Sequence, residues 1–168
     1  MKKRILVVDD SALMRMVISE IIESDERFTL AGTAINGLDA LSVMQKRAGE
    51  IDAVLLDINM PRMTGLEFLD ELKKQNIDAT VIIVSSIATE EAEETILALE
   101  LGAYDFVTKP ETYEEIRSDR FRKRLLECLA CATGVDREVK VVPVQPVIPV
   151  VAKPKPRAGK RGLKLVAI

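Results

Sequence analysis

Asp9 and Asp10 close the run RILVVDD, Asp57 closes IDAVLLD, and Lys109 ends DFVTK just before Pro110. Each follows a short stretch of aliphatic or β-branched residues that reads as a buried strand. Three carboxylates gathered at one sheet edge repel one another, and burying them is costly unless positive charge is present. A small set of oxygen ligands of high charge suits Mg2+, which keeps part of its water shell and accepts phosphate oxygens as further ligands. The competing reading makes the acids helix caps, and it fits Asp10 best, because Asp10 directly precedes Ser11 and a helical pattern. VIIVSS ends on the hydroxyls of Ser85 and Ser86, and Lys109 offers a compact positive charge. Singly these are turn serines and a surface lysine. Converging at the strand ends of one sheet, they fit a phosphoryl group. The Lys109–Pro110 bond is a candidate for the cis form.

The elements that must position these residues alternate along the chain. Strand-like runs fall at residues 5–8, 28–34, 53–56, 81–84 and 104–108. Helical spacing lies between them. The first helix sets Leu13, Val17 and Ile21 on one face with Met14, Ile18 and Ile22 beside it. The second offers Leu38, Leu41 and Met44, and the third Leu66, Leu69 and Leu72. A fourth begins on a threonine cap at Thr89, carries acids in its first turn and stops at Gly102. A fifth spans roughly 113–132, with Ile116, Phe121, Leu125 and Leu129 inward. Five such β–α units predict an α/β fold, a doubly wound five-stranded parallel sheet with helices on both faces. Ligands of such sheets sit at the strands' carboxyl ends, where the chain order reverses.

With 168 residues the chain has room for one full domain and a remainder. The net charge of −3 conceals an acidic body and a basic tail. Residues 1–136 hold sixteen Lys and Arg against twenty-six Asp and Glu, and residues 137–168 hold eight against one. The body is therefore a poor nucleic-acid binder. The absence of histidine removes a Ser-His-Asp triad, a His-based metal site and a phosphohistidine of the chain's own. Cys128 and Cys131 lack a second pair for zinc and read as small helix residues. No apolar run is long enough to span a bilayer or to serve as a signal peptide, so the expected location is cytoplasmic, without membrane insertion. After Gly134 the Pro-broken, Val-rich stretch suggests an extended linker over 133–162, and LKLVAI ends the chain as the opening strand, 163–168, of a further domain.

VVDDSALMR, LLDINMPRMTGLEFL, VSS and FVTKP resemble the receiver domain of two-component response regulators over residues 1–132. The resemblance implies a flavodoxin-like sheet of order 2-1-3-4-5. It implies phosphorylation of Asp57 by a histidine kinase, with Mg2+ held by Asp9, Asp10, Asp57 and the backbone carbonyl of Asn59. Lys109 would pair with the phosphoryl group, and Ser85 would be a switch hydroxyl coupled to Phe106. Thr64 stands where many such domains carry an acid.

DDSALMR, NMPRMTGLEFL and LALELGAYDFVTKP are similar, more narrowly, to receivers attached to chemotaxis protein-glutamate methylesterases. That resemblance implies a chemotaxis kinase as phosphodonor, an attached esterase held inhibited until Asp57 is phosphorylated, and chemoreceptors as partners of the longer protein. By itself the segment would take phosphoryl groups from small donors and lose them slowly. The longer protein would hydrolyse glutamyl methyl esters, and the same family implies a glutamine deamidase activity beside it. Two alternatives carry different consequences: a stand-alone, phosphorylation-switched binding module, or the receiver of a transcription factor, for which no helix-turn-helix pattern appears.

Overall fold

A computed structural model describes residues 1–86 and 89–135. The strand expected at 163–168 and all but the first three residues of the linker expected over 133–162 lie outside the described residues. Five strands, β1 (Lys3–Val8), β2 (Phe28–Ala34), β3 (Ala53–Leu56), β4 (Val81–Ser85) and β5 (Asp105–Thr108), form one parallel sheet of order β2-β1-β3-β4-β5. Among the described residues the helices are α1 (Ala12–Glu23), α2 (Gly37–Arg47), α3 (Gly65–Lys74), α4 (Thr89–Glu100), α5 (Tyr113–Arg117) and α6 (Asp119–Thr133), with a 3-10 turn at Ala48–Glu50.

The central strands are apolar without alternation because both sheet faces are covered. Ile5, Val7, Leu55, Ile82 and Val84 point into a core shared with α1 and α6. Their neighbours Leu6, Val8, Val54, Leu56 and Ile83 point into a second core under α2, α3 and α4. Each such fully buried aliphatic side chain contributes about 1.5–3 kcal/mol relative to exposure. The chain leaves β1 for β2 on one side and returns to β3 on the other, so the reversal of order lies between β1 and β3.

Three expectations need correction. In α1 the buried residues are Met14, Ile18, Ile21 and Ile22, while Leu13 is half exposed. Apolar residues occupy more of the helix circumference than one sheet face can cover. In α2 Leu38 is likewise exposed, and Ala40 takes a core place beside Leu41 and Met44. The fifth helix breaks in two: Ser118 is extended (ψ 157°), its hydroxyl donates to the Glu115 carbonyl at 2.8 Å, and Asp119 begins α6. The Ser118 hydroxyl closes the short helix behind it and makes no capping bond to α6, whose first turn carries the acid Asp119. Phe121, Leu125 and Leu129 are buried as expected, whereas Ile116 on the short α5 is only half-buried. Helix α6 closes on Gly134 in the left-handed region (φ 72°). The side chain of Thr89, the expected cap of α4, lies outside the described residues.

Thr64 proves to be a structural residue. Its hydroxyl accepts from the Glu67 amide at 3.2 Å while the Glu67 carboxylate accepts from the Thr64 amide at 2.9 Å, a reciprocal cap on α3. The next residue, Gly65, donates its N–H to the Ile58 carbonyl at 2.8 Å, and a Cβ there would collide with the backbone carbonyl of Asp57. A side chain at 65 must therefore push the loop that carries Asp57. Gly65→Ala is expected to lower stability by about 1–3 kcal/mol, read as a fall in the urea midpoint, and an unchanged midpoint would contradict the close approach.

Candidate functional site

Register brings the acids together. Val8 pairs with Leu56 across β1 and β3, so Asp9 and Asp57 each stand one residue beyond paired neighbours. The Asp57 amide donates to the Val8 carbonyl at 2.9 Å and the Asp9 amide to the Ala34 carbonyl at 3.1 Å. Both side chains are almost wholly buried, and Asp10 is exposed beside them. Carboxylate oxygens of all three lie within 4.8 Å of one another.

The capping alternative for Asp10 fails, because Ser11 caps α1: its hydroxyl accepts from the Met14 amide at 3.2 Å. The Ser11 amide in turn donates to Asp9 Oδ1 at 2.8 Å. Arg15 of α1 donates to the Asp9 carbonyl at 2.7 Å and fixes the loop.

Lys109 comes from the far side. Ser85 pairs with Thr108 across β4 and β5, and the Lys109 amide donates to the Ser85 carbonyl at 2.7 Å. From there its ammonium reaches Asp9 Oδ2 at 3.0 Å and Asp57 Oδ1 at 3.1 Å. The Lys109–Pro110 bond is trans, against the expectation, since the described residues contain no cis peptide.

One ammonium does not neutralise three carboxylates. Burial, and then the charge of Asp9, push the Asp57 carboxyl up to about 7 against the counter-pull of Lys109. Burial alone would depress Lys109, but the charges of Asp57 and Asp9 outweigh it and hold the ammonium above its ordinary value. Asp9 Oδ2 is buried without a hydrogen-bond donor, its contact with Lys109 being an ion pair without hydrogen-bond alignment. A clustered, all-oxygen, negatively charged donor set with an oxygen lacking a donor fits a small hard cation. The three carboxylates are the candidate metal group among the described residues.

The family model for the response regulator receiver domain matches residues 5–119. The chain belongs to this family. Its receiver is similar to a protein-glutamate methylesterase/protein-glutamine glutaminase of Treponema pallidum (strain Nichols), at 43% identity over 79% of this chain and 37% of that protein. The response regulator domain of Thermotoga maritima CheB is similar in structure, with a TM-score of 0.69 and 39% identity over 81% of this chain and 99% of that one. A CheX-CheY-BeF3-Mg2+ complex from Borrelia burgdorferi follows at a TM-score of 0.64 and 29% identity, covering 77% of this chain and 87% of that one. The chain spans less than half the length of the curated relatives it matches.

The remaining expected residues stand around the receiver's acid cluster without joining it. Ser85 is buried, and its hydroxyl engages Thr95 Oγ1 of α4 at 2.9 Å. Phe106 of β5 is exposed, and its carbonyl accepts from Arg124 at 2.9 Å. The Asn59 side chain donates to Glu91 Oε2 at 2.9 Å. Cys128 is buried, with its thiol pushed up to about 12 by burial and the charge of Asp105, while Cys131 is exposed.

Sequence reasoning missed Glu91 and Thr95. Glu91 joins two loops, since Oε1 accepts from the Ser86 amide at 2.8 Å while Oε2 holds Asn59. Burial pulls its carboxyl upward, but the Ser86 and Asn59 bonds prevail and hold it below the usual range. Thr95 was legible as a polar residue one helical turn before the buried Ala98 on the core stripe of α4.

Proposed function

We propose that this receiver takes a phosphoryl group from a histidine kinase onto Asp57 and thereby controls an attached protein-glutamate methylesterase. The observation that carries the reading is the Lys109 ammonium, held between Asp57 and Asp9 within the acid cluster. In the transfer an Asp57 oxygen attacks phosphorus in line. The phosphorus–nitrogen bond of the kinase's phosphohistidine breaks, its electron pair returns to the imidazole, and an aspartyl phosphate remains. A carboxylate is a weak nucleophile, so rate comes from positioning. The β3 core and the Val8 bond hold Asp57 at the rim, and Lys109 meets the charge on the phosphoryl oxygens. Mg2+, when bound, would supply neutralisation of the acids and of the phosphoryl group. Asp9, Asp10, Asp57 and the carbonyl of Asn59 are its proposed holders. The similar complex from Borrelia burgdorferi pairs Mg2+ with BeF3, which supports that choice of cation.

Ser85 is the proposed switch hydroxyl and Phe106 the aromatic that follows it, altering the surface around α4, β5 and α6. A boundary for the receiver near residue 132, a linker and a following catalytic domain belong to the same reading, as does action on chemoreceptors. It is supported by the esterase relatives, of which the chain covers the smaller part. The test uses the longer protein that this reading calls for. Glutamyl-ester hydrolysis should rise when a phosphodonor and Mg2+ are added, and the rise should vanish in Asp57→Asn. Equal stimulation of both proteins would refute the regulatory assignment.

A further inference from the structure

Thr95 Oγ1 lies 2.7 Å from the Glu91 carbonyl, four residues earlier in α4, and 2.9 Å from Ser85 Oγ. A carbonyl only accepts, so the single Thr95 proton is committed to Glu91. In the pair between the two hydroxyls Ser85 must then be the donor. Ser85 and Thr95 are 3% and 6% exposed, so water does not substitute freely for either partner. A threonine on the buried stripe of a helix could be replaced by an apolar residue of the same shape without losing any backbone bond. Its back-bond to Glu91 adds nothing that the helix requires.

We infer that Thr95 is a positioning residue that holds the Ser85 hydroxyl in the resting orientation, and so sets how readily the receiver enters its phosphorylated state. This rests on the function proposed above. Ser85 has one proton, and it cannot serve Thr95 and a phosphoryl oxygen together. Switching exchanges a neutral acceptor for a charged one, which is the stronger bond. The Thr95 bond to Glu91 is made in both states and cancels. Removing the Thr95 oxygen therefore raises the free energy of the resting state selectively, because the buried Ser85 donor loses its acceptor there.

The experiment titrates the full chain with beryllofluoride, a phosphoryl mimic, at fixed Mg2+ by calorimetry. Thr95→Val is expected to bind roughly three- to tenfold more tightly than wild type, and Thr95→Ser is expected to match wild type. In a Ser85→Ala background Thr95→Val should have no effect, because the bond it removes no longer exists. A general loosening of α4 would act in both backgrounds. If wild type binds beryllofluoride but Thr95→Val leaves its affinity unchanged, or tightens it equally with Ser85→Ala, the latch is overturned while the receiver function stands. If wild type fails to bind, both fall together.

Discussion

The wild-type chain is expected to take up one phosphoryl group from a small phosphodonor in the presence of Mg2+, and Asp57→Asn to take up none. The substitution keeps the shape of the side chain and one carbonyl oxygen but removes the proposed anionic nucleophile, and no geometry around an amide restores it. The fall should exceed roughly a thousandfold in initial rate, because the positioning proposed for Lys109 and the acid cluster would act only on a group able to attack. The readout is intact-mass spectrometry of both proteins over a time course. Wild-type labelling that survives in Asp57→Asn would transfer the acceptor role to another acid, with Asp9 or Asp10 the nearest. The variant should remain folded, since the bond from the Asp57 amide to Val8 belongs to the backbone.

The same substitution is expected to stabilise the metal-free protein above neutral pH. The folded Asp57 carboxyl titrates at about 7, above its ordinary value of 3.8. Between those values the folded state binds more protons than the unfolded one, so stability from this group is fully present below about 4 and falls as pH rises through 7. Between pH 6 and 8 the loss amounts to about 1.4 kcal/mol. That corresponds to a fall of several degrees in melting temperature for a domain of this size. Asp57→Asn should flatten the profile over that window, and added Mg2+ should stabilise wild type more at pH 8 than at pH 6, because the cation favours the ionised form. Thermal melts of both proteins at the two pH values, with and without Mg2+, measure the effect. Parallel slopes for the two metal-free proteins would mean that the Asp57 charge is relieved in some other way.

The cost of burying an acid at the end of a core strand, as at Asp57, explains how much of the molecule was readable in advance. Continuous apolar runs at β1, β3 and β4 are the direct consequence of a sheet covered on both faces, so strands, helices and layer order follow from pattern alone. The acids and Lys109 were legible because each breaks such a run at its end, where an apolar residue would have been more stable. Where pattern failed, two causes competed for the same residues. In α1 the apolar surplus gave no means of choosing Met14 over Leu13 for the core. At Ser118 an extended residue whose hydroxyl bonds back to Glu115 interrupts an apolar spacing that runs straight through it.

By itself the sequence determined that three carboxylates and one lysine stand at the ends of strands that must share one sheet. Periodicity and strand ends are local properties, and the sheet's topology converts them into proximity. Only the tertiary structure decided that Ser11 rather than Asp10 caps α1, leaving Asp10 exposed beside the acid cluster. Only the tertiary structure set Glu91 across the loops of Asn59 and Ser86, and brought the Ser85 hydroxyl within 2.9 Å of Thr95 Oγ1. Those contacts join side chains from different elements, and the direction of a hydroxyl depends on which acceptor the packing of α4 leaves within reach.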